Sequence, residues 1–379
     1  MRSTMTETVG APERPLKRGW TTGSCATAAA RAAYEFLITR TCPAMVEITL
    51  PSGQRVSFAV AMHEGDASAA TAGVIKDAGD DPDVTHGALI KATVRRGPDG
   101  SGIVFRAGPG VGTVTKPGLP LPPGEPAINP VPRQMISAAV REAAAAFDSP
   151  SDVIVEISIP GGEELAKKTL NPRLGILGGL SILGTTGIVI PFSCAAWIHS
   201  IYRGIDVARA SGLAHIAGAT GSTSEKAVQH LYGLPDAALI DMGDFVGGML
   251  KYLRRHPVKR VTIAGGFAKM TKLGQGLLDL HSRAGEVDRA WLADALSDAG
   301  APDALVGAAR GANTALQVLD EAKRLAFPAG DVVARAAWRT ARRALGDGIA
   351  LDIAVFDRVG QLVGQYDGAD HSPLPRKRR

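Results

Sequence analysis

The sequence predicts an α+β N-terminal domain, with signs of an internal duplication, followed by an α/β C-terminal domain whose sheet is mainly parallel. Three observations predict this. The length of 379 residues suits two domains better than one. In the first half, an alanine-rich helical stretch precedes a strand of alternating apolar and polar residues, and the combination occurs twice. In the second half, short apolar runs end in glycine at intervals of about 23 residues, each followed by a helical pattern, which is the rhythm of βαβ units.

The first helix is expected over 25–38, opened by GWTTGSC (19–25). Thr and Ser at a helix start cap its free N–H groups, and glycine allows close approach of a ligand. The partial positive charge of the helix end favours a carboxylate or phosphate. A strand and turn follow at 46–53 (VEITLPSG), and after a second helix over 132–147 the pattern returns at 155–162 (VEISIPGG). Between the copies, runs at 88–95 and 102–107 flank the turn GPDGS and predict a hairpin. The Pro/Gly-rich segment 108–132 is expected to be an ordered loop lining a site, since long structureless loops in compact domains are usually functional.

A charge-free window at 174–198 contains five glycines. Those glycines, a proline and scattered hydroxyl residues argue against a membrane span, because helices in lipid must satisfy every backbone group internally. The window is expected to be a ligand loop ending in a buried strand over 187–192. Further strands are expected at 214–219, 238–242 and 260–264, with helices at 224–231, 244–255 and 269–278, and a closing strand pair at 351–356 and 361–365. Ligands of parallel sheets bind at the carboxyl ends of the strands, where this chain carries GATGST (218–223), DMGD (241–244) and GGF (265–267). The domains are therefore drawn as 16–195 (α+β) and 196–368 (α/β, Rossmann-like), between a disordered N-terminus (1–15) and a basic, disordered tail (369–379).

Net charge is +5, and the tail supplies much of it. With no Lys/Arg stripe interleaved with aromatics, a nucleic-acid partner is not expected. The three cysteines are far apart and lack metal-ligand spacing, so neither a disulfide framework nor a metal site is expected. No signal peptide is read in the first residues, and the expected location is cytoplasmic. KDAGDDPDVTHG (76–87) gathers four carboxylates and a histidine, either as an acid/base cluster or as a solvated turn.

Read together, GWTTGSCATAAARAA, KDAGDDPDVTHG, GPGVGTVTKPGL, GEPAINPVPRQMI, GEELAKKTLNPRLGILGGLSILGTTGIV and TGSTSE resemble the successive signatures of the CbiD family, the cobalt-precorrin-5B (C1)-methyltransferases of cobalamin biosynthesis. The resemblance spans 16–368. It implies S-adenosylmethionine as methyl donor, a cobalt-bearing tetrapyrrole as acceptor, and no protein-bound metal. Asp77, Asp80, Asp81, Asp83 and His86 become the catalytic candidates. The donor is assigned to Gly178, Gly179, Ser181, Gly184, Thr185, Thr186 and Gly187, with Thr220, Ser222 and Glu225. The acceptor is assigned to Arg18, Thr21, Thr22, Ser24, Lys76, Asn129, Arg133 and Arg173.

Two departures from the family pattern stand out. GGFAK (265–269) replaces the frequent Gly-His before a lysine-rich helix, so no histidine role carries over there, and Ser24 stands where threonine is common. A phosphate-binding, kinase-like enzyme and a non-catalytic tetrapyrrole carrier are the alternatives. A kinase reading lacks the lysine after the last glycine of a phosphate loop. The sequence leaves a homo-oligomer open.

Overall fold

The computed structural model describes residues 15–369; the expectations for the N-terminal segment and the basic tail fall outside them, apart from residues 15 and 369. It is a mixed α/β protein that divides into two compact units, Met1–Ser193 and Cys194–Arg379. The first contains β1 (Gly19–Trp20), α1 (Thr22–Thr39), β2 (Met45–Thr49), β3 (Arg55–Ala59), β4 (Met62–Gly65), β5 (Ala69–Ile75), β6 (Leu89–Arg96) and β7 (Ile103–Ala107). It continues with β8 (Gly110–Val111), β9 (Thr113–Val114), α2 (Pro130–Ala146), β10 (Val153–Ser158), α3 (Gly162–Ala166), β11 (Ile176–Leu177), β12 (Gly179–Leu180) and β13 (Ile188–Val189).

A five-stranded sheet, β4-β5-β6-β10-β7, forms the floor of this unit. Helix α1 packs on β5 and β6 and against α2. Its alanines explain the close packing: Ala28, Ala29, Ala32 and Ala33 are fully buried. The predicted hairpin is corrected here. β6 and β7 are not neighbours, because β10 lies between them, antiparallel to β6 and parallel to β7. The turn survives locally, with the Ser101 N–H on the Pro98 carbonyl. Parallel pairing needs a long crossover, and α2 supplies it between β7 and β10. The buried Val153, Val155 and Ile157 suit β10 to the centre. The two similar segments occupy different settings: β2 pairs only with β3, whereas β10 sits inside the large sheet.

The predicted buried strand over 187–192 is also corrected. Only Ile188–Val189 are extended, half-buried against β1, while Ile190 and Phe192 are exposed. The long Pro/Gly loop is ordered, through β8 with β12, β9 with β11, and bridges from Thr113 to Pro126 and Ile128 to Ile182.

The second unit contains α4 (Cys194–Ala210), β14 (His215–Ala219), α5 (Ser222–Tyr232), β15 (Leu239–Asp241), α6 (Val246–Arg255), β16 (Arg260–Gly266), α7 (Phe267–Gly274), α8 (Arg289–Asp298), α9 (Asp303–Gly311), α10 (Ala315–Arg324), α11 (Ala329–Leu345), β17 (Ala350–Phe356) and β18 (Leu362–Tyr366). Its sheet runs β15-β14-β16-β17-β18, parallel except for the last strand. The chain reverses direction of winding between β14 and β16, the place where doubly wound sheets open a crevice.

Gly179 sets the spacing between β12 and β8. A Cβ there would lie 2.3 Å from the Gly110 backbone. Gly179→Ala is expected to cost about 1–3 kcal/mol through overpacking, read as a lower urea midpoint at unchanged m-value.

Candidate active site

Helix α1 begins with Thr21 as N-cap, its Oγ1 accepting the Ser24 N–H at 3.2 Å. Further donors of this turn are taken by the glycine window. The Gly23 N–H donates to the Leu183 carbonyl at 2.9 Å and the Thr21 N–H to the Gly187 carbonyl at 3.1 Å. Thr22 Oγ1 donates to the Leu183 carbonyl and accepts its N–H, and Ser24 Oγ donates to the Gly187 carbonyl at 2.7 Å. Thr21, Thr22 and Ser24 are therefore buried and hold chain rather than face solvent. The anion site expected at this helix end is filled by residues 183–187. A Cβ on Gly184 would stand 2.4 Å from Thr21, so that crossing requires glycine.

The acidic loop joins the same end of α1. The Trp20 N–H donates to the Asp77 carbonyl at 2.7 Å. Asp77 takes the Lys17 ammonium at 2.6 Å and the Gly79 N–H at 2.8 Å. The ammonium bond lies foremost in holding its carboxyl below the ordinary range. Asp80 accepts the Lys17 backbone N–H at 2.7 Å, and Asp81 accepts the Phe192 N–H at 2.9 Å. His86 is exposed, with Nδ1 accepting the Ala78 N–H at 3.1 Å.

Lys76 lies beneath the loop at only 1% exposure. Its ammonium meets Asp83 Oδ2 at 2.5 Å and Thr85 Oγ1 at 2.7 Å. Asp83 Oδ1 accepts both the N–H and the hydroxyl of Thr85. Burial pushes the Asp83 carboxyl up, but Lys76 and Thr85 outweigh it and hold it below the ordinary value. Cys25 is buried in the first turn of α1, and burial pushes its thiol up to about 12, so it is an inert thiol at neutral pH.

Other assigned residues also brace the chain. The Asn129 N–H donates to the Ile182 carbonyl at 3.0 Å. Arg133 donates to the Ile128 and Pro126 carbonyls and pairs with Glu125 at 2.8 Å. Ser181 is buried, its hydroxyl on Asn171. Arg18, Gly178, Thr185 and Thr186 are exposed, and Gly179 and Gly187 are buried. Gly184 and Arg173 are partly buried. Segments 17–24, 76–87, 124–130 and 176–192 thus converge on one helix end. Lys17 emerges as the tie between α1 and the acidic loop. Its position two residues before GW was the available signal.

Thr220, Ser222 and Glu225 belong to the second unit, at the carboxyl end of β14 and the start of α5. The Thr220 N–H donates to the Ala264 carbonyl at 3.0 Å, linking this edge to β16. Gly221 and Gly266 stand open, with nothing within 4 Å of a Cβ at either. At the same edge Lys269 pairs with Asp244 at 2.5 Å, and Lys272 is buried with its ammonium on the Leu280 carbonyl.

Fold and site define a two-unit mixed α/β protein whose sequence signatures gather largely at one helix end. Residues 10–191 match the CbiD family model, and residues 279–367 match the model of the CbiD C-terminal domain. A protein of a Bradyrhizobium strain named cobalt-precorrin-5B C(1)-methyltransferase is 79% identical over 376 residues, 99% of this chain and 100% of that one. One of the same name from Agrobacterium fabrum is 61% identical, covering 96% of each chain. A crystal structure of the cobalamin biosynthesis protein CbiD from Archaeoglobus fulgidus is 27% identical, covering 82% of this chain and 85% of that one, at a TM-score of 0.39. The chain belongs to the CbiD family.

Removing Asp83 would strand a buried ammonium. Asp83→Asn is expected to cost about 3–5 kcal/mol, measured by urea unfolding at pH 7. Because the folded carboxyl lies below its usual value of 3.8, its stabilisation is present above about pH 4 and is lost as pH falls further. Acid titration of unfolding should show a shallower loss below pH 4 in the variant than in the unaltered protein.

Proposed function

We propose that this chain transfers the methyl group of S-adenosylmethionine to carbon 1 of cobalt-precorrin-5B, giving cobalt-precorrin-6A in cobalamin biosynthesis. The observation that carries this reading is the 79% identity, across 99% of the chain, to a relative of that name. S-adenosylmethionine supplies an already activated methyl, so the protein's task is chiefly alignment. Holding two reactants in line can contribute about 7–11 kcal/mol to lowering the barrier.

The acceptor is a polycarboxylate, and Arg18 and Arg173 are the cations assigned to its rim. Lys76 and Arg133 act on it indirectly, by bracing the loops around it, as do Thr21, Thr22, Ser24 and Asn129. The donor candidates of the first unit are Gly178, Gly179, Ser181, Gly184, Thr185, Thr186 and Gly187; those of the second unit, taken by itself, are Thr220, Ser222 and Glu225. The window suits a nucleoside with a cationic sulfur, since it has no charged side chain and exposes Thr185 and Thr186, the latter with its hydroxyl donating to the Ile188 carbonyl. The open Gly221 supports the second group. These roles divide the chain into a substrate and donor domain over 16–195 and a Rossmann-like domain over 196–368. The strand order of the second sheet supports the latter.

Methyl addition to the conjugated ring leaves a positive charge that loss of a ring proton relieves. The base is drawn from Asp77, Asp80, Asp81, Asp83 and His86. Asp77 and Asp83 engage both carboxylate oxygens in internal bonds. In a neutral His86, Nδ1 as acceptor puts the proton on Nε2, which makes the outward nitrogen a donor. Asp80 and Asp81 each hold a backbone N–H through one oxygen. That pattern supports Asp80 or Asp81 as the base. The proposed setting is cytoplasmic; among the described residues no helix is long and apolar enough to cross a membrane.

The direct test is anaerobic incubation with cobalt-precorrin-5B and methyl-labelled S-adenosylmethionine, followed by mass spectrometry. One labelled methyl on the macrocycle is expected, and none from folded protein with competent substrate would reject the reading. One of Asp80→Asn and Asp81→Asn should lower kcat by about 100-fold or more, with the urea midpoint retained; wild-type turnover in both would clear the pair. For the donor, the Thr185→Val/Thr186→Val pair and Gly221→Val are each expected to weaken S-adenosylhomocysteine binding about tenfold, about 1.4 kcal/mol by calorimetry. Unchanged affinity in either removes that half of the assignment.

A further inference from the structure

Among the described residues, four non-glycine residues hold positive φ: Arg40, Asp148, Phe192 and Ala326. Three of them close helices. Arg40 is the C-cap of α1, and Asp148 and Ala326 each lie one residue beyond the C-cap of α2 and α10. A left-handed residue is ordinary at such ends. Phe192, at φ 56°, ends no helix; it stands two residues before α4 begins. A bulky aromatic there is a genuine conformational outlier, which persists only where its surroundings impose it.

The imposing contact is visible. The Phe192 N–H donates to Asp81 Oδ1 at 2.9 Å, so a carboxylate of the acidic loop fixes backbone 111 residues away in sequence. This strain does not serve burial, because Phe192 is 67% exposed, the most exposed aromatic ring among the described residues. Ile190, two residues earlier, is also exposed. An unfavourable backbone that presents an apolar ring to solvent, tied to a titratable loop, suits a ring meant to be covered by a ligand.

We infer that Phe192 is a binding platform for the flat, conjugated face of the tetrapyrrole acceptor, held in position by Asp81. The inference rests on the proposed methyl transfer. Asp81 ties the ring to the loop proposed to deprotonate the macrocycle, which places Phe192 with the acceptor rather than the donor. An aromatic ring meets the apolar face of such a ligand and leaves its carboxylate rim to cations. Stacked rings gain energy beyond the area they bury.

The test uses full-length protein with Phe192→Ala, Phe192→Gly and Phe192→Tyr. KM and kcat are measured with cobalt-precorrin-5B, macrocycle Kd by absorbance titration, and S-adenosylhomocysteine Kd by calorimetry. Both the alanine and glycine variants are expected to raise macrocycle KM and Kd about tenfold, equivalent to about 1.4 kcal/mol. Tyrosine should restore them and donor affinity should not change. Glycine adopts the positive φ freely, so its variant removes the ring without keeping the strain. A wild-type Kd in the glycine variant beside a weakened alanine variant would assign the effect to backbone and overturn the inference. So would wild-type macrocycle binding in both variants, a loss confined to the donor, or a change of oligomeric state by sedimentation. If the unaltered protein binds the macrocycle without methylating it, the functional reading fails while the Kd series still decides the role of Phe192.

Discussion

Everything assembled at the first unit's site depends on how the buried start of α1 satisfies its N–H groups. A helix end leaves several donors without intrahelical partners, and burying them unpaired is costly. Here the carbonyls of Leu183 and Gly187 take the N–H groups of Gly23 and Thr21, and Thr22 and Ser24 add hydroxyl bonds to the same two residues. The chain must therefore return to within hydrogen-bond distance after some 160 residues. The pairing of β1 with β13 follows directly, and Gly184 is dictated by the crossing over Thr21. The helix dipole is thus used on chain carbonyls, which leaves the proposed ligand recognition to Thr185, Thr186 and the loop from Asp77 to His86.

A second constraint is electrostatic. Lys76 is buried at 1% exposure, and such a charge is tolerated only when its partners are in place. Asp83 and Thr85 provide them, and in doing so fix the far limb of the acidic loop. Lys17 fixes the near limb through Asp77 and Asp80. The exposed Lys17–Asp77 pair contributes little energy in itself; its effect is geometric. Between these anchors Asp81 is left to hold Phe192, so backbone order in the loop is transmitted to the end of the glycine window.

The local features were legible in the sequence, and the distant ones were not. Thr21 and Ser24 marked the start of α1 because capping is decided within one turn. In the second sheet β14, β15 and β16 were readable because each is a short apolar run followed by its own helix, and they fall within two residues of expectation at each end. The hairpin failed because a turn signal at 97–101 carries no information about β10, which arrives some fifty residues later through α2. The carbonyls of Leu183 and Gly187 at the start of α1 were unreadable for a similar reason. A capped helix start with nearby glycines reads the same whether a ligand or a distant carbonyl will fill it. Phe192 was read as the end of a buried strand, since apolarity alone does not reveal a residue held outward by a carboxylate.

The start of α1, the acidic loop and the end of the glycine window form the surface proposed to receive the macrocycle. Hydrogen–deuterium exchange of the full-length protein, with and without cobalt-precorrin-5B under anaerobic conditions, tests it most directly. Slowed exchange is expected together in peptides covering 17–24, 76–87 and 183–192. Slowing confined to peptides outside these three segments, at saturating macrocycle, would contradict it.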